Sequence, residues 1–198
     1  MPLGAAFEGD AWLKPWLPLV RTRAAEASVL ELGCGSGKDT AILAGAGLRV
    51  VAIDISSASL AKAKSVAPEA ACVCQDIRAP FPASDAGYGA VVASLSLHYF
   101  SWPDTVTLVQ RIRASLVQGG LLLCRLNSTR DHNFGASGYP AISERYFLVD
   151  SEPKRFFNSR DVASLFSGGW RTLSCRERTI NRYVLPKAVW EIVVEKDA

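Results

Sequence analysis

The most constraining feature is a glycine-rich turn, Glu31-Leu32-Gly33-Cys34-Gly35-Ser36-Gly37. It directly follows an apolar run, Ser28-Val29-Leu30-Glu31-Leu32, and directly precedes a helical stretch from Lys38 to Ala46. Glycines here let the chain turn sharply and let a ligand approach without a Cβ in the way. The following helix offers unpaired N–H groups to a polar or anionic group. A strand, a glycine turn and a helix in that order form the opening unit of an open α/β fold that binds its ligand at the strand's carboxyl end.

The rest of the chain continues the alternation. Leu48 to Ile53 reads as a second strand, Ser57 to Val66 as a helix with Ser56 or Ser57 as N-cap, and Ala70 to Cys74 as a third strand. Tyr88 to Leu95 is a fourth strand, whose Val91-Val92-Ala93 suits burial on both faces. Asp104 to Leu116 carries Leu108, Val109, Ile112 and Leu116 at helical spacing, and Ser115 is read at its boundary. Gly119-Gly120 opens a fifth strand, Leu121 to Leu126. Such alternation predicts a Rossmann-like α/β fold, a doubly wound and mostly parallel sheet. Asn158 or Ser159 caps a further helix to Phe166, and the extended segments Trp170 to Arg178 and Ala188 to Val194 suggest a closing hairpin at the sheet edge.

Two segments stand outside the pattern. Asp10 to Ala24, with Pro15 and Pro18, reads as a disturbed amphipathic helix, a lid packed on the core or a cover over a ligand. Residues 127–157 read as an irregular, aromatic-rich insertion on the substrate side. The expected organisation is a single domain over residues 1–198, since 198 residues support one good core.

Three meanings of the glycine turn compete. A dinucleotide fingerprint needs a third glycine where Lys38 stands. A phosphate loop fails because Leu32 replaces its first glycine and Asp39 replaces its Ser or Thr. An acidic-x-Gly-x-Gly-x-Gly pattern fits at every position. Beyond it, Asp54 ends the second strand, where a carboxylate can accept hydrogen bonds from both hydroxyls of a ribose. Asp76-Ile77 follows the third strand, where the carboxylate can accept from an adenine amino group and the next N–H can serve the ring. Ser94-Leu95 ends the fourth. Acidic residues in register at three successive strand ends are poorly explained as three separate turns or caps.

On these residues, from about Ser28 to Leu126, the chain resembles class I S-adenosylmethionine-dependent methyltransferases. That resemblance implies a seven-stranded sheet with its C-terminal strand antiparallel, and S-adenosylmethionine as cofactor. The implied contacts are Gly33 and Gly35 beside the methionine part, Asp54 on the ribose, and Asp76 with Ile77 on the adenine. Glu31, Cys34, Gly37, Ile55, Ser94 and Leu95 complete the expected cofactor set.

The acceptor is less legible. His98, just past the fourth strand, is a candidate base or substrate contact. Ala93-Ser94-Leu95-Ser96 departs from the Asn-Pro-Pro-aromatic motif of nucleic-acid amino methyltransferases. The tail, with Arg125-Leu126-Asn127-Ser128, Arg155-Phe156-Phe157 and Asn181-Arg182-Tyr183, resembles tellurite-resistance-type methyltransferases, which implies a small anionic or chalcogen-containing acceptor, a thiol or another anionic metabolite. Arg125, Arg155, Arg182 and Tyr183 are candidate acceptor contacts, guanidinium groups suiting oxyanions. The rival readings are a catalytically inactive cofactor-binding partner and a protein or RNA methyltransferase.

Composition closes off other classes. A formal charge of +3 on 198 residues is far from a nucleic-acid-binding signature. No eighteen-residue apolar run and no leader pattern suggest a cytoplasmic protein with no membrane span. Five cysteines (Cys34, Cys72, Cys74, Cys124 and Cys175) and two histidines give no metal-ligand spacing. Cys72 and Cys74 are expected to be buried strand residues, and no metal is expected. No sequence feature specifies an oligomeric state.

Overall fold

A computed structural model describes residues 11–181 and 183–197. Among the described residues, ten strands form one large and one small sheet, with five α-helices flanking them. The chain enters through a 3-10 turn, Lys14–Trp16, and helix α1, Leu17–Arg23. Pro15 and Pro18 each fall in the first turn of these two pieces, where a missing N–H costs nothing. The expected disturbed helix is therefore two short ones, and its Asp10 lies outside the described residues.

The core then runs β1 (Ser28–Leu32), α2 (Lys38–Gly45), β2 (Val50–Asp54), α3 (Ser57–Val66), β3 (Ala71–Cys74), β4 (Tyr88–Ser94), α4 (Trp102–Ser115) and β5 (Leu116–Asn127). After β6 (Ala141–Ser143), β7 (Tyr146–Val149) and β8 (Glu152–Arg155), it ends with α5 (Ser159–Leu165), β9 (Trp170–Ile180) and β10 (Lys187–Lys196). The large sheet has seven strands in the order β3-β2-β1-β4-β5-β10-β9. The first five are parallel, and β10 runs antiparallel to both neighbours, β5 and β9. This is the Rossmann-like doubly wound sheet that the alternation predicted.

Strand alternation assigns each side of the sheet its helices. On β4, Val91 and Ala93 join one cluster with Leu108, Val109 and Ile112 of α4 and Val162 and Leu165 of α5. Their neighbours Ala90 and Val92 join another with Val20 of α1, Leu43 of α2 and Leu60 of α3. The period of two puts successive side chains into opposite layers, so both faces of β4 are buried, as its continuous apolar run requires. Caps set the helix starts. Ser56 accepts from the Ser59 N–H at 3.2 Å, Ser101 accepts from Asp104 at 3.3 Å, and Asn158 with Asp161 forms a reciprocal capping box.

Three readings need correction. First, β5 begins at Leu116, ahead of the glycine pair; its pairing to β4 jumps from Tyr88–Leu116 to Ala90–Leu121, so the glycines sit in a bulge inside the strand. Second, the 127–157 insertion is not irregular, because β6, β7 and β8 form a three-stranded antiparallel sheet. Its tight β7–β8 turn is Asp150-Ser151, both at positive φ (50° and 68°), between the paired Val149 and Glu152. Such turns are signalled by Asn-Gly or Asp-Gly, and Asp-Ser hides the same geometry. Third, Cys74 is exposed and Cys72 only half-buried, because β3 is an edge strand.

Candidate functional site

One cavity of about 760 Å³ lies across the carboxyl ends of the parallel strands. Its volume falls within the range of ligand pockets. Its near wall comes from the glycine turn. The Gly33 and Cys34 N–H groups both donate to the Ile53 carbonyl, at 2.8 and 3.0 Å, tying the turn to the end of β2. The Gly35 N–H donates to Asp54 Oδ2 at 2.8 Å and the Ser56 N–H to Asp54 Oδ1 at 2.9 Å. Each carboxylate oxygen thus keeps a lone pair for a ligand hydroxyl. Glu31 is buried and accepts from Thr40 Oγ1 at 2.6 Å, which anchors the first turn of α2.

The three glycines do different things. A Cβ on Gly33 would stand 2.6 Å from Ser96 Cβ, so Gly33 permits the close approach of the loop after β4. At Gly35, whose φ is +54°, a Cβ would meet no atom within 4 Å, and the residue opens onto the cavity. Gly37 does not line the cavity; a Cβ there would sit 2.5 Å from the Ala63 backbone, so this glycine packs α2 against α3. Of the expected cofactor set, Glu31, Gly33, Cys34, Gly35, Asp54, Ile55, Asp76, Ile77, Ser94 and Leu95 line the cavity. Leu95 sits at φ +57°, a costly conformation for a leucine and one that concentrates at functional sites.

The geometry answers whether S-adenosylmethionine fits. Asp54 presents free lone pairs beside an open Gly35, and the surrounding wall is acidic, with Glu31, Asp39 and Asp76. Such a wall suits a ligand carrying a ribose, a sulfonium and an ammonium. Asp76 is engaged: Arg78 grips both its oxygens through Nε, at 3.1 Å each, and holds its carboxyl below the usual range. Burial, with the charges of Glu31 and Asp54, pushes the Cys34 thiol up to about 12, so it is no thiolate nucleophile.

The far wall is built by β4, β5, β8 and β10. His98 is buried beside Tyr99, ring centroids 4.2 Å apart. Burial, and then the charges of Lys187 and Lys154, lower its pKa to about 3. Lys187 pairs with the buried Asp131 at 2.7 Å and lies against the Phe134 and Tyr183 rings, 4.6 and 5.9 Å from their centroids. Lys187 lines the cavity and Asp131 stands behind it.

The candidate acceptor contacts divide. His98 and Tyr183 line the cavity. Arg125 does not: it is fully buried, bonded to Glu191 and stacked on Trp12 at 4.6 Å. Its strand position puts it below the cavity, on the face covered by the N-terminal segment. Trp12 in turn donates to Asp39 at 3.2 Å, so that segment both packs on the core and braces a cavity residue. Arg155 also lies outside the wall; it donates to the Phe100 carbonyl at 3.2 Å and stacks on Tyr146 at 4.9 Å, tying the small sheet to the loop after β4. Arg182 lies outside the described residues. The acceptor contacts expected from the sequence left out Lys154, Lys187 and Asn127, which line the wall; Lys187 stands one residue before the extended segment read from Ala188 and is the first residue of β10. Among the described residues no cluster of His, Cys, Asp or Glu could hold a metal, and no helix is long and apolar enough to cross a membrane.

Comparison with known proteins agrees with this geometry. Residues 29–120 match the family described as a methyltransferase domain. Trans-aconitate 2-methyltransferase of Delftia acidovorans is 35% identical over 117 residues, 58% of this chain and 41% of that protein. The enzyme of the same name from Azoarcus is 32% identical over 148 residues, 73% of this chain and 53% of that protein. The chain thus spans about half the length of these relatives or less. Among solved structures, a SAM-dependent methyltransferase from Methanosarcina mazei aligns with TM-score 0.74 at 18% identity, covering 86% of this chain and 92% of that one. The 1,6-didemethyltoxoflavin-N1-methyltransferase of Burkholderia thailandensis aligns at 0.71 and 18%, covering 96% and 80%. Residues 29–120 thus match a methyltransferase-domain model, and nearly the whole chain has the Rossmann-like fold that these solved methyltransferases share.

Proposed function

We propose that this chain is an S-adenosylmethionine-dependent methyltransferase acting on a small carboxylic acid. The observation that carries the reading is the division of one cavity into a carboxylate-lined end at Asp54 and an end where Lys187, paired with Asp131, and Lys154, paired with Glu152, stand beside the buried His98. The trans-aconitate methyltransferase relatives support a carboxylic acid as the acceptor class. When bound, S-adenosylmethionine supplies a methyl group: a carboxylate oxygen forms the new O–C bond as the C–S bond breaks, leaving a methyl ester and a thioether.

The chain's own residues have modest work to do. Gly33, Gly35, Asp54, Ile55, Asp76, Ile77, Ser94 and Leu95 hold the cofactor, while Lys187, Lys154, His98 and Tyr183 hold the acceptor. A carboxylate is already ionised at neutral pH, so no general base is needed. His98 is a poor base, because an imidazole that protonates only near pH 3 cannot keep a proton taken from a hydroxyl. It serves as a neutral hydrogen-bonding group. Catalysis on this reading is alignment and water exclusion.

The test is calorimetric binding of S-adenosylmethionine, with NAD and ATP as controls, followed by transfer of labelled methyl to a panel of tricarboxylates, thiols and tellurite. Methyl esters from the acids support the reading. Transfer to a thiol or to tellurite instead would favour the chalcogen acceptor that the tail resemblance suggests. Binding without any turnover would favour the inactive partner protein.

A further inference from the structure

Most of the buried polar atoms that lack partners gather at this cavity. Among the described residues they are Ser94 Oγ, Ser96 Oγ, His98 Nδ1 and both amide atoms of Asn127; the other two are the Nε atoms of Arg23 and Arg113, away from the cavity wall. Ser94, Ser96, His98 and Asn127 all line the cavity. Native proteins rarely leave buried polar groups unpaired, and a cluster of them at a ligand cavity marks what the ligand must supply.

Asn127 is the most demanding of the four. Its side chain has zero exposure, and neither its Oδ1 nor its Nδ2 has a partner, so the need is the same whichever way the amide is turned. It ends β5 directly opposite Val189 of β10. Lys187, two residues before Val189, shares that face, and cross-strand diagonal neighbours lie within reach of long side chains. The amide oxygen requires a hydrogen-bond donor and the amide nitrogen an acceptor. A plain carboxylate offers acceptors only. A carboxylate with a neighbouring hydroxyl offers both.

We propose that the acceptor is a hydroxy acid, and that Asn127 is the residue that reads its hydroxyl together with the adjacent carboxylate oxygen. Lys187, held on Asp131, adds an N–H donor beside the carboxylate, and His98 Nδ1 takes a further hydrogen bond. The inference rests on the carboxylate reading above and narrows it.

The experiment compares kcat/KM of the wild-type chain on acids differing by one hydroxyl: isocitrate against tricarballylate, and malate against succinate. The same pairs are then run on Asn127→Ala and Asn127→Ser, with S-adenosylmethionine affinity measured in parallel. The expected result is a preference of about tenfold to a hundredfold for the hydroxylated acid, the cost of leaving a buried group unpaired. That preference collapses in Asn127→Ala and is partly kept in Asn127→Ser, while cofactor affinity stays within about twofold. Equal use of both members of each pair by the wild type overturns the hydroxy-acid inference and leaves the carboxylate reading standing. Loss of cofactor affinity in the Asn127 variants also overturns it, since Asn127 would then belong to the cofactor. Failure of every acid, with cofactor still bound, overturns the carboxylate reading itself. Should neither variant fold, the wild-type ratios decide alone.

Discussion

The two ends of the cavity are built on different physical plans. The end at β1, β2 and β3 is made of backbone: glycines at positive φ, N–H groups aimed at Asp54, and carbonyls holding the turn. The end at β5, β8 and β10 is made of buried side chains: Lys187 on Asp131, His98 kept neutral, and Asn127 with no partner. A backbone-built site depends on local sequence and tolerates little variation. A side-chain-built site depends on what distant strands bring together, and it can be re-specified by single substitutions. The first end should therefore define the cofactor and the second the acceptor, and each of the following experiments presses on that division.

The largest effect expected is acid lability from the acceptor end. His98 has its pKa lowered from 6.5 to about 3 by burial and by the two lysines. Below pH 6.5 the unfolded imidazole takes a proton that the folded one refuses until about pH 3. Stability therefore falls as pH drops through that window and levels off below it, by on the order of 5 kcal/mol at most. Denaturant midpoints between pH 7 and pH 4 should fall more steeply for the wild type than for His98→Asn. Equal slopes would mean that His98 titrates normally and that the positive potential is absent.

Next comes the ion pair behind that potential. Lys187→Met leaves the fully buried Asp131 carboxylate without its cation, and breaking a buried pair costs about 3–5 kcal/mol. Much of this should return in the double variant Lys187→Met/Asp131→Asn, which removes both charges. Additive losses in the double-mutant cycle would show the pair to be uncoupled.

On the cofactor side, Asp54→Ala removes a carboxylate that also orders the Gly35 and Ser56 N–H groups. Two charge-assisted hydrogen bonds from ribose hydroxyls are worth about 3 kcal/mol, so affinity for S-adenosylmethionine should fall by about 100-fold. Unchanged affinity would move the cofactor elsewhere. Gly37→Ala tests the division within the glycine turn. Its φ of +81° and the 2.5 Å approach to Ala63 predict a loss of about 2 kcal/mol of stability, with cofactor affinity of the folded protein nearly unchanged.

This contrast also explains what could be read from the chain. The glycine turn, Asp54, Asp76 and Ser94 were legible because each is set by its own strand end, and a strand–turn–helix unit is local. Gly37 looked equivalent to Gly35 in the motif, yet the partner that decides its role, Ala63, lies on another helix. Arg125 and Arg155 looked like anion ligands. Stacking on Trp12 and Tyr146 committed them to packing, and those partners are distant in sequence or hidden in a sheet whose Asp150-Ser151 turn gave no glycine signal. Lys187 and Asn127 meet only because β10 inserts beside β5, a pairing between residues about 60 apart.

The smallest effect carries the sharpest question for the cofactor end. Asp76 is expected to take the adenine amino group, yet Arg78 holds both of its oxygens and also lies over the Phe100 ring at 5.6 Å. The Arg78 side chain is 61% exposed, and an ion pair so open to water is worth about 1 kcal/mol or less. If Arg78 simply competes with adenine, Arg78→Ala frees the carboxylate, and the dissociation constant for S-adenosylmethionine should drop by up to about fivefold. Weaker binding in the same variant would mean that Arg78 belongs to the site, orienting Asp76 or covering the ring. The acidic end would then be built partly of mobile side chains, and the division between a backbone-made and a side-chain-made half would fail where it now looks firmest.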